Sequence, residues 1–212
     1  MNTDDLLARL DRARREDPER AVFGAGHRGH GYRLNAPMPP ERMAEIERDL
    51  DVLLPEDYRA FLLQAADGGA GPGYGLNPFT VSNELPVPEP GEFPGVSGRP
   101  ILVDPPADPE DDDAVEASIS AHLDAVYRGV TVLNDEGCGM HSLLVLRGAC
   151  AGQVWWYPWQ DGTGIFPLRH PGTGTPMTFT DWYGLWLDSI LDPGRTAIGS
   201  FAPYAPTEPW TA

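Results

Sequence analysis

The most constraining feature of the sequence is a series of short apolar segments in its second half, each rich in β-branched or aromatic residues and followed by a glycine-containing turn. Three of them occupy residues 130–135, 141–148 and 152–159, and residues 164–169 have a similar composition. Segments of this length and composition, joined by such turns, are typical of antiparallel strands. We therefore expect a meander of three strands with a fourth strand at its edge.

Five other segments carry apolar residues at helical spacing and are predicted to be helices. They are residues 3–16, 40–53, 55–65, 110–128 and 180–190. A further short strand is expected at residues 99–104, inside a long proline-punctuated connection over residues 77–109. The fold class is therefore α+β, a mainly antiparallel sheet of about four to six strands with helices packed against it.

The apolar stripes of these helices indicate which faces are buried. The first helix has a stripe of Leu6, Leu7 and Leu10 and is expected to dock only loosely. The other stripes are Met43, Ile46, Leu50 and Leu53 in the second helix, Tyr58, Phe61, Leu62 and Ala65 in the third, and Val115, Ile119, Leu123 and Val126 in the fourth. Thr180 or Asp181 is expected to cap the last helix.

Two glycine-rich segments raise the question of phosphate binding. A phosphate loop places its glycines before a helix, whose N-terminus then faces the anion. The glycines of residues 67–76 instead follow a helix, so Gly68 or Gly69 is expected to end that helix and the rest to form a turn. Residues 24–29 contain G-x-G-x-x-G without a flanking strand or helix and are predicted to be a loop.

The charge of the chain restricts its partners. The formal net charge is −17 at pH 7, and the chain contains no lysine. Such a surface repels nucleic acid and favours basic protein partners, the alternative being that the acidity only maintains solubility. Two cysteines, a charged N-terminal segment and no apolar run of about 18 residues indicate a soluble cytoplasmic protein with free thiols and no membrane partner.

The sequence contains one set of residues that could in principle bind a metal ion. His27, His30, Cys138 and His141 are residue types that bind zinc, but their spacing matches no zinc signature. The favoured alternative is that Cys138 is a small buried residue in a turn between two strands, with His141 on the second of them. We expect no metal and no cofactor.

Catalytic groups are equally unconvincing. The paired carboxylates available for acid–base catalysis are Asp135 with Glu136, or the acidic run 110–113. Adjacent acids on a loop are usually solvated, and a general acid needs a hydrophobic pocket that raises its pKa. No serine or cysteine lies in a nucleophile elbow, and the absence of lysine excludes Schiff-base chemistry. The sequence therefore predicts a protein that is not an enzyme.

Several motifs taken together resemble the SUKH superfamily, and within it the Smi/Knr group. They are "LPEDYRAFL" (54–62), "GGAGPGYGL" (68–76), "GCG" (137–139), "GQVWW" (152–156) and "FTDWYGLWLD" (179–188). The resemblance spans residues 22–191, which divides the chain into an N-terminal helix at 1–21, the domain, and a proline-rich tail at 192–212. It implies an α+β domain without enzymatic activity. Bacterial members are typically immunity proteins that neutralise a cognate toxin, often a nuclease or deaminase, and fungal members are regulatory.

The predicted partner site combines acids and tryptophans. Adjacent residues of a strand alternate in direction, so at least one of three clustered tryptophans is expected near the surface beside acidic residues. The predicted contacts are Asp108, Glu110, Asp111, Asp112, Asp113, Trp155, Trp156 and Trp159. Alternatively, these acids only stabilise a helix start and these indoles only fill the core.

Three functions are open at this point. The leading hypothesis is an immunity protein that binds a basic toxin domain. The second is a regulatory scaffold without a toxin partner, and the third is a metal-dependent enzyme.

Overall fold

The computed structural model of the protein describes residues 3–26, 29–79, 91–102, 108, 110–158 and 164–192. In these residues five helices and five strands follow the predicted order, which confirms the α+β class. The elements are α1 (Thr3–Glu16), α2 (Pro40–Asp49), α3 (Glu56–Gln64), β1 (Ile101–Leu102), α4 (Asp112–Tyr127), β2 (Val130–Gly137), β3 (Met140–Val145), β4 (Val154–Pro158), β5 (Gly164–Pro167) and α5 (Phe179–Leu191). The predicted tail at 193–212 and much of the 77–109 connection lie outside the described residues.

The strands form one antiparallel sheet in the order β1-β5-β4-β3-β2. Strands β2 to β5 pair with their sequence neighbours, which confirms the predicted meander. The pairing sets Val130 opposite Val145 and Leu143 opposite Trp155. β1 then adds to the free edge of β5, so the sheet ends in a two-residue strand on one side and in β2 on the other.

The two faces of the sheet carry separate cores. Because strand side chains alternate, Leu144 and Trp156 lie on one face while Leu143 and Trp155 lie on the other. The first face packs against α1, α2, α3 and α5. The second face packs against the C-terminal end of α4 and against Phe93. A surface on either side of the sheet is therefore structurally independent of the other.

The first helix is firmly attached, contrary to the expected loose docking. Leu6 and Leu10 are buried in the first core, together with Ala13. The guanidinium of Arg9 also donates hydrogen bonds to the carbonyl of Gly184 and the carboxylate of Asp188 on α5. The prediction was wrong because the sequence shows the stripe of α1 but not the partner helix that covers it.

The second helix is shorter than predicted. It ends at Asp49, and Asp51 adopts a left-handed conformation with φ of 50°. Pro55 disfavours a helical conformation at the preceding residue, so the chain cannot continue the helix. Leu53, predicted to be buried, lies in the connection and is 80% exposed. The buried stripe of the third helix is confirmed.

The N-cap of the last helix lies two residues before Thr180, the earlier of the two predicted caps. Thr178 is the N-cap, and its hydroxyl accepts a hydrogen bond from the N–H of Asp181. The carboxylate of Asp181 in turn accepts from the N–H of Thr178, which completes a capping box. Asp181 is therefore the partner of the cap and not the cap itself.

The glycine-rich loop after α3 forms the predicted turn but does not end the helix. α3 ends at Gln64, before the glycines, so neither Gly68 nor Gly69 stops the helix. Gly69 and Leu76 exchange backbone hydrogen bonds of 2.9 and 2.7 Å, which closes residues 69–76 into a compact turn. Gly69 has a φ of 108°, and an added Cβ would lie 2.6 Å from the carbonyl oxygen of Arg33. Only glycine fits this approach.

A buried asparagine joins this loop to the sheet. Asn134 lies at a β-bulge of β2, and its amide nitrogen donates to the carbonyl of Pro72 at 3.1 Å. Its amide oxygen accepts from the N–H of Ser142 on β3 at 3.0 Å. Beside it, the N–H of Tyr74 donates to the carbonyl of Asp135 at 2.9 Å. One side chain thus holds three segments of the chain together.

Replacing Asn134 with alanine is expected to lower the free energy of unfolding by about 2 kcal/mol, because it leaves the buried N–H of Ser142 without its acceptor and removes one of the two hydrogen bonds to the carbonyl of Pro72. Urea unfolding measures the change. The control is Asn35→Ala, which removes an exposed side-chain hydrogen bond to the carbonyl of Asp67 and should cost about 1 kcal/mol or less. Equal costs for the two variants would contradict the role assigned to Asn134.

Candidate functional site

The predicted acidic cluster lies at the start of α4 and is exposed throughout. Asp111 caps the helix, since its carboxylate accepts a hydrogen bond of 3.0 Å from the N–H of Asp113. Asp108 makes a similar contact with the N–H of Glu110. Asp112 and Asp113 occupy the first turn, where the helix dipole favours negative charge. The helix-start alternative thus explains where these acids lie, and their carboxylates still face solvent.

The outer face of α4 extends this acidic surface. Glu116 and Asp124 are also exposed, and no arginine or lysine occurs between residues 108 and 127. Ile119, predicted to be buried, is 44% exposed near these acids, on the stripe that it shares with Val115 and Val126. We call Asp108, Glu110, Asp111, Asp112, Asp113, Glu116, Ile119 and Asp124 the α4 face. It combines seven carboxylates with one accessible aliphatic side chain.

Only the C-terminal end of α4 is anchored to the sheet. Val126 is buried in the second core, whereas Val115 is half-buried. The predicted stripe was therefore wrong at Ile119 and holds at Val126, and the side chain of Leu123 lies outside the described residues. Helical spacing shows which residues share a face, but whether another element covers that face depends on the sheet.

Aromatic and imidazole rings make up much of this anchor. The rings of His122 and Tyr157 lie 5.5 Å apart, and the hydroxyl of Tyr127 is 3.5 Å from Nδ1 of His141. Burial lowers the pKa of His122. Burial also lowers the pKa of His141, against an opposing effect of Asp135. The anchor is therefore built from neutral imidazoles.

Two of the three predicted tryptophan contacts, Trp155 and Trp156, are buried. Trp155 is buried in the second core, with its ring 4.9 Å from that of Phe93. Trp156 is buried in the first core, 6.2 Å from the ring of Phe166. The expected alternation is confirmed, but the expected surface aromatic is not found in these two residues because both faces of β4 are covered. Trp159 lies outside the described residues.

The candidate zinc ligands do not come together in the described part of the chain. His30 packs against Trp186 on the first face, with ring centres 5.7 Å apart, while His141 contacts Tyr157 on the second face. Cys138 lies in the turn between β2 and β3, as the structural alternative predicted, but it is exposed and not buried as that alternative expected, because the turn projects beyond both strands. No three His, Cys, Asp or Glu residues among those described form a group that could hold a metal. His27 lies outside the described residues.

The adjacent carboxylates Asp135 and Glu136 serve the bulged end of β2. Asp135 accepts a hydrogen bond of 2.7 Å from the N–H of Gly137, and Glu136 accepts one of 2.7 Å from the hydroxyl of Ser142. Burial raises the pKa of Glu136, while hydrogen bonds from Ser142, Asn134 and Trp156 oppose the shift. The two carboxylates engage opposite faces of the sheet, so they do not form an acid–base pair.

Neither glycine-rich segment has the geometry of a phosphate loop. Gly24 lies so close to the carbonyl of Gly73 that an added Cβ would be 1.7 Å from its oxygen. The G-x-G-x-x-G segment therefore packs against the loop that Asn134 holds. Gly29 is followed by ten residues without a helix before α2 begins at Pro40.

Comparison with known families identifies the domain. The model of the SMI1 / KNR4 family (SUKH-1) matches residues 37–173, which is more than half of the chain. The protein belongs to the SMI1 / KNR4 family. This confirms the resemblance that the motifs indicated. No curated protein and no solved structure matches the chain.

The SMI1 / KNR4 match covers the elements from α2 to β5. It leaves out α1 and α5, the two helices that the hydrogen bonds of Arg9 join. Membership is consistent with an immunity-type or interaction module, and the family is generally non-catalytic. Among the described residues, none of the helices has the length and apolar character needed to span a bilayer.

One feature of this SMI1 / KNR4 domain escaped prediction. An open groove of about 1030 Å³ lies where the first turns of α3 and α5 meet the turn between β3 and β4. Leu53, Glu56, Gly152 and Asp181 are among the residues that line it. They come from separate segments of the chain, so no local pattern could have indicated the groove. We call it the α3–α5 groove.

His30 makes the stability of the domain depend on pH. Burial lowers its pKa to about 4, with a smaller contribution from Arg33. The unfolded chain binds a proton below about pH 6.5, before the folded chain does. The stability that the neutral imidazole of His30 contributes is therefore complete above about pH 6.5 and is lost as the pH falls towards 4.

His30→Gln is expected to reduce the loss of stability between pH 6.5 and 4, measured as the urea midpoint at each pH. The matched control is His170→Gln, in the turn after β5, for which the wild-type slope should remain. An unchanged slope in His30→Gln would show that other groups carry the pH dependence in this range.

Proposed function

We propose that the protein is a non-enzymatic immunity protein, which neutralises a basic toxin domain of the nuclease or deaminase type by binding it through the α4 face. Family membership supports an interaction module of this class. The observation that carries the choice of surface is that seven exposed carboxylates and the exposed aliphatic Ile119 lie on or directly before one helix, α4. We place this activity in the cytoplasm, where both cysteines remain free thiols.

The charge of the α4 face supports a basic protein partner. Among the described residues its carboxylates form no ion pairs, whereas the acids Glu45 and Asp49 of α2 are paired with arginines. The negative potential of α4 is therefore not cancelled by neighbouring cations. A toxin that acts on nucleic acid needs a cationic surface for its own substrate, and the two potentials are complementary.

The exposed side chain of Ile119 supports direct contact with a partner, in addition to the long-range attraction that the carboxylates provide. Charges at the rim of an interface mainly raise the association rate, while apolar side chains at its centre reduce dissociation. Ile119 occupies the third turn of α4, between the acidic start of the helix and Asp124. The helix therefore offers a partner one accessible aliphatic side chain together with exposed carboxylates.

The test measures binding to the purified product of the adjacent gene at several salt concentrations. Asp112→Asn, Asp113→Asn and Glu116→Gln together should slow association about tenfold at low salt, because they remove three exposed carboxylates that steer the partner. Asp111 is left intact because it caps the helix. Ile119→Ser should instead accelerate dissociation.

The matched control removes the same charge from α2 through Glu41→Gln, Glu45→Gln and Asp49→Asn. It should change the association rate by about twofold or less. Association that is independent of salt, or that is slowed equally by both sets, would contradict electrostatic capture by the α4 face. A gene neighbour without toxic activity would favour the regulatory scaffold.

A further inference from the structure

The α3–α5 groove has walls that the fold holds in place. One oxygen of the Asp57 carboxylate accepts a hydrogen bond of 2.9 Å from the N–H of Thr180, which ties the start of α3 to the start of α5. Its other oxygen accepts from the N–H of Tyr58 at 2.9 Å. The capping box of Thr178 and Asp181 fixes the start of α5. A ligand therefore meets a surface that is already formed, which reduces the entropic cost of binding.

The groove attracts cations. The charged residues that line it are Glu56, Asp57 and Asp181, and all three are acidic. The N-termini of α3 and α5 oppose them with about half a positive charge each, or about one in total. Three carboxylates exceed this contribution, so the groove has a net negative potential. A basic group is the ligand that complements it.

The rim of the groove is apolar at one point. Leu53 is the most exposed of the large hydrophobic residues that the structure describes, and it is followed closely by Pro55, which also lines the groove. A ligand that covers Leu53 removes its side chain from water. The ligand is therefore expected to carry an aliphatic group beside its cation.

The opposite wall admits a polypeptide backbone. It is the turn between β3 and β4, where Ala151 and Gly152 present no long side chain. Small residues allow a second chain to approach closely. The volume of about 1030 Å³ is at the upper end of small-molecule pockets, and the groove is open to solvent, which leaves room for a peptide segment.

From these observations we propose that the α3–α5 groove is a second interaction site, which binds an extended segment of a partner protein carrying alternating arginine and leucine side chains. The arginines meet Glu56 and Asp181, and a leucine covers Leu53. This site does not involve the α4 face, which lies on the other side of the sheet, so it does not depend on the proposed toxin contact.

The probe is a fluorescently labelled peptide of sequence Gly-Arg-Leu-Arg-Leu-Gly, and its binding to the full-length chain is followed by fluorescence anisotropy. We expect saturation with a dissociation constant of about 10 to 100 μM. A peptide with glutamine in place of both arginines should bind at least about tenfold more weakly, because it lacks the charges that the carboxylates attract.

The variant Leu53→Ser with Glu56→Gln should weaken binding about tenfold without affecting the fold, because both side chains are exposed. The matched control is Ile119→Ser with Glu116→Gln, the same pair of changes on the α4 face, and it should leave peptide binding within about twofold of wild type. Ala151→Arg, which places a cation on the opposite wall, should also weaken binding. Its effect does not require the loss of any existing contact.

Absence of saturation at about 1 mM peptide, or equal effects of the groove and α4 variants, would overturn the proposal. The two proposals fail separately. Loss of binding to the adjacent gene product in the α4 variants, with peptide binding retained, supports both sites. Loss of peptide binding alone leaves the toxin contact in place.

Discussion

The structure depends on a buried hydrogen-bonding side chain at the edge of its sheet. β2 is the last strand, and an uncovered edge strand exposes backbone groups that pair with other chains. Asn134 resolves this problem by fastening the glycine-rich loop against the bulged part of β2, while it also satisfies the N–H of Ser142 on β3. The loop then supplies its own backbone groups to the strand, through Tyr74 and Asn77. The glycines are needed for close approach, and they have no part in binding an anion.

Much of the fold could be predicted because it is determined locally. Short β-branched and aromatic segments with glycine turns indicated the meander, and alternation correctly separated Trp155 from Trp156. Local chemistry does not show what covers a face. Ile119 and Leu53 occupy apolar positions in helical patterns, yet both are exposed, whereas the stripe of α1 is buried by a helix more than 160 residues away.

The candidate interaction surfaces also differ in how far the sequence alone could reveal them. The acidic run at 108–113 was visible in the sequence because its charges are consecutive, and the structure adds only that α4 presents them with Ile119. The surface aromatic expected at Trp155 or Trp156 was misplaced because composition cannot distinguish a strand covered on one face from a strand covered on both. The α3–α5 groove was invisible because its acids, Asp57 and Asp181, are brought together by the meeting of two helix starts.

The contact between α1 and α5 has a consequence for how the chain matures during its synthesis. Arg9 leaves the ribosome well before its partners Gly184 and Asp188, which emerge 175 and 179 residues later. Until then, Leu6, Leu10 and Ala13 have no α5 to cover them, and such transiently exposed apolar surface is a source of aggregation. The many charges of α1, including Asp4, Asp5 and Arg14, favour solubility of this helix until α5 has been synthesised. We therefore expect α1 to be the segment that a ribosome-associated chaperone shields.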